Sequence, residues 1–177
     1  SKRFHVDHME SIIITAEIEN IDLSSYMTEL TLEERMIFDL YKSNDEARDI
    51  AHNALYESDK ALDYLHSRGI TDDSIELFNL GYAPELNNGK TIFDGMPNYE
   101  QLQLNRKDQY NDAILFPIND TNGRMRYFQS RPFKSISGMK YIGANDTHPL
   151  FDDTDRIFGF DVAKRSLARN NGKLVGV

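Results

Sequence analysis

The spacing of apolar residues changes near residue 112, and this change sets the class of fold. Upstream, apolar residues recur at three and four, one face of a helix; downstream they form short runs bounded by turn residues, as strands do. Thr31-Leu32-Glu33-Glu34 is a capping box, so a long helix follows it, to Tyr56, with Ile37, Leu40, Tyr41, Ile50, Ala51, Ala54 and Leu55 turned inward. Ser43-Asn44-Asp45 is the place where that helix would break in two. Ser58 is placed to cap Asp59–Arg68, which Gly69 stops, and Thr71 to cap Asp72–Leu80, with Gly81 as the second stop. Met9, Ile12, Ile13 and Ala16 give residues 7–19 a helical face, although three consecutive isoleucines leave a strand open there. Asn87-Asn88-Gly89 reads as a turn, and residues 99–104 as a short helix.

Ala113–Ile118 is a short apolar run that suits a buried strand, and Pro117 within it suits an edge or a bulge. Asn119–Gly123 carries the Asn-Gly hairpin signal, and residues 124–131 return as a second strand. Met139–Ile142 is a candidate third strand, Phe160–Arg169 a helix, and Lys173–Val177 the start of another strand. The expected class is α+β: a helical amino-terminal half packed on a small mixed or antiparallel β-rich half. The expected division is 1–30, 31–110 and 111–177.

Charge follows the same division. The 177 residues carry a net −9, which at first argues against nucleic acid, because phosphate is held mostly by Lys and Arg. Yet residues 1–105 hold 21 acids and 8 bases, whereas residues 106–177 hold 8 acids and 12 bases. Between Asn122 and Tyr141 lie Arg124, Arg126, Arg131, Lys134 and Lys140 with no acid among them. A local patch, not the total, decides what a surface attracts. Tyr127, Phe128, Phe133 and Tyr141 interleave with these bases, so stacking can accompany phosphate contacts. An ordinary solvated hairpin, balanced by the acidic half, explains the same composition equally well. In a regular strand Arg124 and Arg126 share one face and Arg131 takes the other, so gathering them requires a bulge.

Other chemistry is weak. With no cysteine there is no thiolate zinc site, disulfide or Cys nucleophile. No apolar run reaches the ~18 residues of a membrane span, and no signal peptide is visible, so a soluble, cytoplasmic chain is expected. Gly89-Lys90-Thr91 ends like a phosphate-binding loop, but Pro84 stands where its first glycine belongs. His5 and His8 share a helix face without a third ligand, and His52, His66 and His148 are isolated. Asp72-Asp73 is explained by a helix N-terminus; Asp152-Asp153 with Asp155 is a charged loop with only a weak claim on a cation. The first residue is Ser, so a piece of a longer protein is expected.

Three segments in order resemble the core of bacterial DnaG-type DNA primases and their phage relatives. The first is Tyr64-Leu65 with Arg68-Gly69-Ile70, continuing to Phe78 and Gly81-Tyr82-Ala83-Pro84. The second is Leu115-Phe116-Pro117-Ile118 with Asp120 and Gly123-Arg124; the third runs from Phe128 and Arg131 to Lys140-Tyr141, then Phe151 and Ile157-Phe158-Gly159. Residues 4–26 resemble the helical exit of that family's zinc-finger domain, and Lys173–Val177 resembles the first strand of its TOPRIM domain. The departures are specific. The family's arginines before the second motif fall on Asn111 and Ala113, a paired glycine falls on Gln129-Ser130, and a lysine falls on Asp153. Such divergence points to a phage-encoded primase, with Arg106, Lys107 or Arg156 as replacements.

The resemblance implies the amino-terminal core portion of an enzyme that synthesises RNA primers on single-stranded DNA, a nucleotidyl transfer. It implies template and nucleotide-phosphate contacts at Arg124, Arg126, Arg131, Lys134, Lys140 and Tyr141, with no catalytic residue and no metal ligand in this chain. Mg or Mn would be held by carboxylates beyond residue 177, and Zn by a domain upstream of Ser1, so the 177 residues alone are expected to be inert. The implied partners are single-stranded DNA, ribonucleoside triphosphates and a replicative helicase, in the cytoplasm of a bacterium or a phage-infected host, with no membrane. The alternatives are a non-catalytic nucleic-acid or protein-interaction module, and another TOPRIM enzyme such as a topoisomerase or nuclease.

Overall fold

A computed structural model describes residues 31–134, 136, 138–152 and 158–169. The expectations for residues 1–30, Arg156 and the strand at 173–177 lie outside the described residues. The chain divides into two units, Ser1–Asp39 and Leu40–Val177.

In the first unit, the described residues open helix α1 (Leu32–Tyr56). The capping box is formed: the Thr31 amide donates to Glu34 Oε2 at 2.8 Å, and the Glu34 amide to Thr31 Oγ1 at 3.2 Å. Two N-terminal donors without helical partners are thereby satisfied.

In the second unit, α1 continues without a break at Ser43-Asn44-Asp45. Its buried face is Leu40, Ser43, Asn44, Ala47, Ala51 and Leu55, a stripe at three and four made mostly of small residues. Helix α2 (Asp59–Ser67) is capped by Ser58 and α3 (Asp72–Leu77) by Thr71, through the Ala61 and Ser74 amides. Gly69 takes the left-handed stop, with φ +79°. Helix α3 ends three residues earlier than expected because Asn79, not Gly81, turns left-handed, at φ 47°. Gly81 instead opens strand β1 (Gly81–Ala83). A Cβ there would lie 2.7 Å from that of Ala51, so glycine lets the strand touch α1.

β1 pairs antiparallel with β2 (Ala113–Asn119), which pairs antiparallel with β3 (Met125–Pro132), in the order β1-β2-β3. The class is α+β, as expected. The third strand is β1, however, and not Met139–Ile142, which makes only isolated bridges, Ser130 with Ile142 and Met139 with Ile136. Pro117 lies in the central strand, but β1 pairs only as far as Leu115, so no ladder bond is forfeited there. Residues 99–104 form turns rather than a helix, with Gln103 left-handed at φ 56°. Asn87–Gly89 is one 3-10 turn, and α4 (Phe160–Arg169) has the expected bounds.

Each sheet face carries a core. Tyr82 and Ile114, cross-strand neighbours, join Leu55, Ala61, Leu65, Ile75 and Leu80, with Phe116, Phe133 and Phe158 packed against them. On the opposite face Phe128 stacks on Phe93 at 5.7 Å, and Tyr110 meets both rings edge-on. Lys60 reaches both oxygens of the buried Asp112, to which Tyr82 also donates, at 2.8 Å. Burial, with that bond, pushes the Tyr82 hydroxyl pKa well up. His148 is buried edge-on against Tyr127, and its Nδ1 accepts from the Leu150 amide at 3.2 Å. Burial holds its pKa down to about 4.

Two outcomes follow for stability. Gly81→Ala forces β1 away from α1 and costs about 1–3 kcal/mol, read as a lower urea midpoint at unchanged slope. The His148 contribution has a defined sign. Between about pH 6.5 and 4 the unfolded chain takes up a proton that the folded chain refuses, so stability falls as pH falls through that window. The loss is up to about 3 kcal/mol. Urea titrations across that range check it: His148→Gln shows a correspondingly shallower pH dependence than the parent.

Candidate nucleic-acid interface

The six basic and aromatic residues singled out by sequence do not form one cluster. The β2–β3 turn is built on Asp120, whose carboxylate accepts the Asn122 amide at 2.8 Å and the Arg124 amide at 3.0 Å. It also accepts Arg124 Nε and Nη2, at 2.9 and 2.6 Å, with Asp120 only 3% exposed. The same guanidinium lies 4.1 Å over the Tyr41 ring. Arg124 thus binds the turn and is seated on α1.

The bulge that sequence required is present. Asn119 pairs with Met125 and Ile118 with Tyr127, leaving Arg126 as the extra residue on β3. It does not gather the arginines. Arg126 is 14% exposed and lies 3.6 Å from Asp152. The bulge is held by Asn44 Nδ2, which donates to the Met125 and Arg126 carbonyls at 3.2 and 2.6 Å.

Arg131 behaves differently. Its cross-strand neighbour is Ile114, and its guanidinium lies 5.8 Å from the Tyr141 ring, with Nη1 donating to the Pro132 carbonyl at 2.7 Å. Tyr141 is 53% exposed and also approaches Phe116, at 6.2 Å. Lys140 is exposed beside it. Among the described residues no carboxylate lies within ion-pair distance of Arg131 or Lys140. Lys134, 83% exposed, reaches Glu85 only at 4.0 Å. The unneutralised charge is thus at the far end of β3 from the turn, around an exposed aromatic ring.

The segment carrying Lys140 and Tyr141 is fastened by polar groups that sequence did not single out. Ser130 and Ile142 exchange both backbone hydrogen bonds, at 2.7 and 3.0 Å. Gln109, 1% exposed, donates from Nε2 to the Phe128 and Ile142 carbonyls, each at 3.2 Å. Arg106 Nη1 donates to the Gly143 carbonyl at 3.3 Å. Gln103 Nε2 reaches Asn145 Oδ1 and Thr147 Oγ1, at 3.0 and 2.7 Å. Glutamines in a stretch without periodicity carry no signal of this, because their partners are distant in sequence: side-chain oxygens of Asn145 and Thr147 for Gln103, and the Phe128 and Ile142 carbonyls for Gln109.

Among the described residues no three His, Asp or Glu side chains converge to hold a metal, and no helix is long and apolar enough to cross a membrane. The described residues therefore do not fit a catalytic metal. They can attract and orient phosphate and stack a base.

The family model for the DNA primase catalytic core, N-terminal domain, matches residues 50–164, nearly two thirds of the chain. The DNA primase of Chlamydia pneumoniae is 29% identical over 180 residues, covering 90% of this chain and 29% of that protein. The chain thus spans under a third of the length of this and other curated DNA primases that it matches. The RNA polymerase domain of Mycobacterium tuberculosis primase DnaG, solved with a double-stranded DNA oligomer bearing a 6-nucleotide overhang, is similar at 25% identity and TM-score 0.60. That alignment covers 74% of this chain and 45% of that one. The zinc-binding and RNA polymerase domains of Aquifex aeolicus primase share the fold at 22% identity and TM-score 0.63, covering 92% and 41%. With its small antiparallel sheet, its capped helices and this extended match, the chain belongs to the family of the N-terminal domain of the DNA primase catalytic core.

Proposed function

We propose that these residues form the amino-terminal part of the RNA-polymerase core of a DNA primase, which makes RNA primers on single-stranded DNA. The observation that carries this reading is Arg131 over the exposed Tyr141 ring, with Lys140 alongside and no carboxylate neutralising either cation among the described residues. A guanidinium and an ammonium beside an exposed ring suit a single strand, whose phosphates take the charge while a base stacks on the ring. The DNA-bound relative from M. tuberculosis supports DNA as the ligand.

The contact set is Arg131, Lys140 and Tyr141, with Lys134 at its margin. Arg124 keeps the turn in place, and Arg126 is paired with Asp152. Template is the substrate class bound here, and the phosphates of incoming ribonucleoside triphosphates are drawn by the same field. Catalysis falls to Mg- or Mn-binding carboxylates in residues outside this chain, and a zinc-binding domain lies upstream in the same protein. The parent protein works in the cytoplasm of a bacterium or phage-infected cell, with a replicative helicase.

The test is the salt dependence of binding to a single-stranded oligothymidylate by the full chain. Arg131→Ala and Lys140→Ala each make the log K against log salt slope shallower by about 0.7, one phosphate contact on a single strand. Primer synthesis by the parent protein carrying the same substitutions falls with them. Arg124→Ala leaves the slope unchanged and lowers stability by about 2–3 kcal/mol, because Asp120 stays buried without its cation. Equal slopes in the parent and both interface variants would remove the reading.

A further inference from the structure

The stretch from Gln103 to Gln109 lies along the segment that follows Tyr141, and its polar side chains meet that segment in order. Gln103 binds Asn145 and Thr147, Arg106 binds the Gly143 carbonyl, and Gln109 binds the Ile142 carbonyl. The residues are spaced by three, and their targets run back from 147 to 142. The two glutamines are neutral and adequate for fastening the segment, Gln103 through the Asn145 and Thr147 side chains and Gln109 through a backbone carbonyl. Only the central member carries a charge.

That charge is more than the fastening needs. A single bond from Nη1 to a carbonyl occupies one of five guanidinium donors. The neighbouring Asp108 carboxylate lies 3.9 Å from Nη2, at the limit of ion pairing, and is 57% exposed. This contrasts with Arg124, whose Nη2 lies 2.6 Å from an Asp120 carboxylate that is 3% exposed. Arg106 itself is 28% exposed. A Cβ built on Gly143 would meet nothing within 4 Å, so the backbone that Arg106 grips is open on that side. Gly143 follows Lys140 by three residues and Tyr141 by two.

We propose that Arg106 is a further phosphate-binding residue of this interface, extending the cationic track of Arg131 and Lys140 onto the loop before β2. Its grip on the Gly143 carbonyl presets the guanidinium, so little rotamer freedom is lost when a strand arrives. The ligand is a backbone phosphate of the single strand stacked at Tyr141, one nucleotide or more along. This inference rests on the reading of Arg131 and Lys140 as DNA contacts.

The experiment measures oligothymidylate affinity of the full chain across a series of KCl concentrations, for Arg106→Gln, Arg106→Ala and Arg106→Lys, with Arg131→Ala in parallel. Arg106→Gln keeps a donor for Gly143 and removes the charge. It weakens binding about five-fold at low salt and flattens the slope by about 0.7, while Arg106→Lys keeps the parent slope. Thermal melts show that Arg106→Gln is folded, so the result stands even if Arg106→Ala is not. A parent-like slope in Arg106→Gln, with a shallower one in Arg131→Ala, overturns the inference and leaves Arg106 as a strut. Parent-like slopes in both overturn the underlying reading of the interface as well.

Discussion

The amide of Asn44 holds the centre of this structure. It lies 1% exposed on the inner face of α1 and donates twice to the bulge in β3, once to the Met125 carbonyl and once to that of Arg126. An extra residue in a strand leaves backbone groups without ladder partners. In a core those groups must be satisfied by a side chain, and Asn44 is the one placed to do it. The bulge then sets the phase of β3: Arg126 faces Asp152, and beyond it Tyr127, Gln129 and Arg131 share a face with Ile118, Phe116 and Ile114. The placement of Arg131 beside Tyr141 depends on that count. Further along the same face of α1, Ala51 meets Gly81 of β1, and the two small residues let that strand lie against the helix.

The electrostatic pattern follows from what each arginine meets, and less from how many there are. Arg124 and Arg126 lie in an acid-free stretch of sequence, yet each finds a carboxylate in the fold, from Asp120 in the turn and from Asp152 beyond it. Buried guanidinium groups require such partners. The carboxylates that neutralise them are thereby withdrawn from the far end of the hairpin, where Arg131 and Lys140 keep their field. A chain of net −9 can therefore present a cationic edge.

Local signals were the ones legible in advance. The capping box at Thr31, the caps at Ser58 and Thr71, the left-handed Gly69 and the turn before Gly123 each involve residues within four or five of one another. Their physics is contained in a short window, and each formed as expected. Strand β1 was missed because three residues, Gly-Tyr-Ala, carry no period; only pairing with Leu115, Ile114 and Ala113 makes them a strand. Residues 139–142 read as a strand for the opposite reason. Their composition suits one, but the ladder beside Ser130 continues for a single bridge. The polar face of α1 looked like a break because Ser43 and Asn44 are poor interior residues in isolation. Asn98 and the bulge make them good ones.

By itself, the sequence determined the helix caps, the hairpin turn, the α+β class and the family, because these depend on neighbouring residues or on motifs in a set order. It also marked the basic stretch from which the interface is drawn. Only the tertiary structure decided which of those bases is neutralised and which is exposed. That choice depends on Asp120, Asp152, Tyr41 and Tyr141 converging from different elements, and on a row of side chains from Gln103 to Gln109 gripping a segment more than 30 residues away. Charge in a sequence is a count. In a fold it is a field, set by distance and burial, and neither exists until the chain has closed on itself.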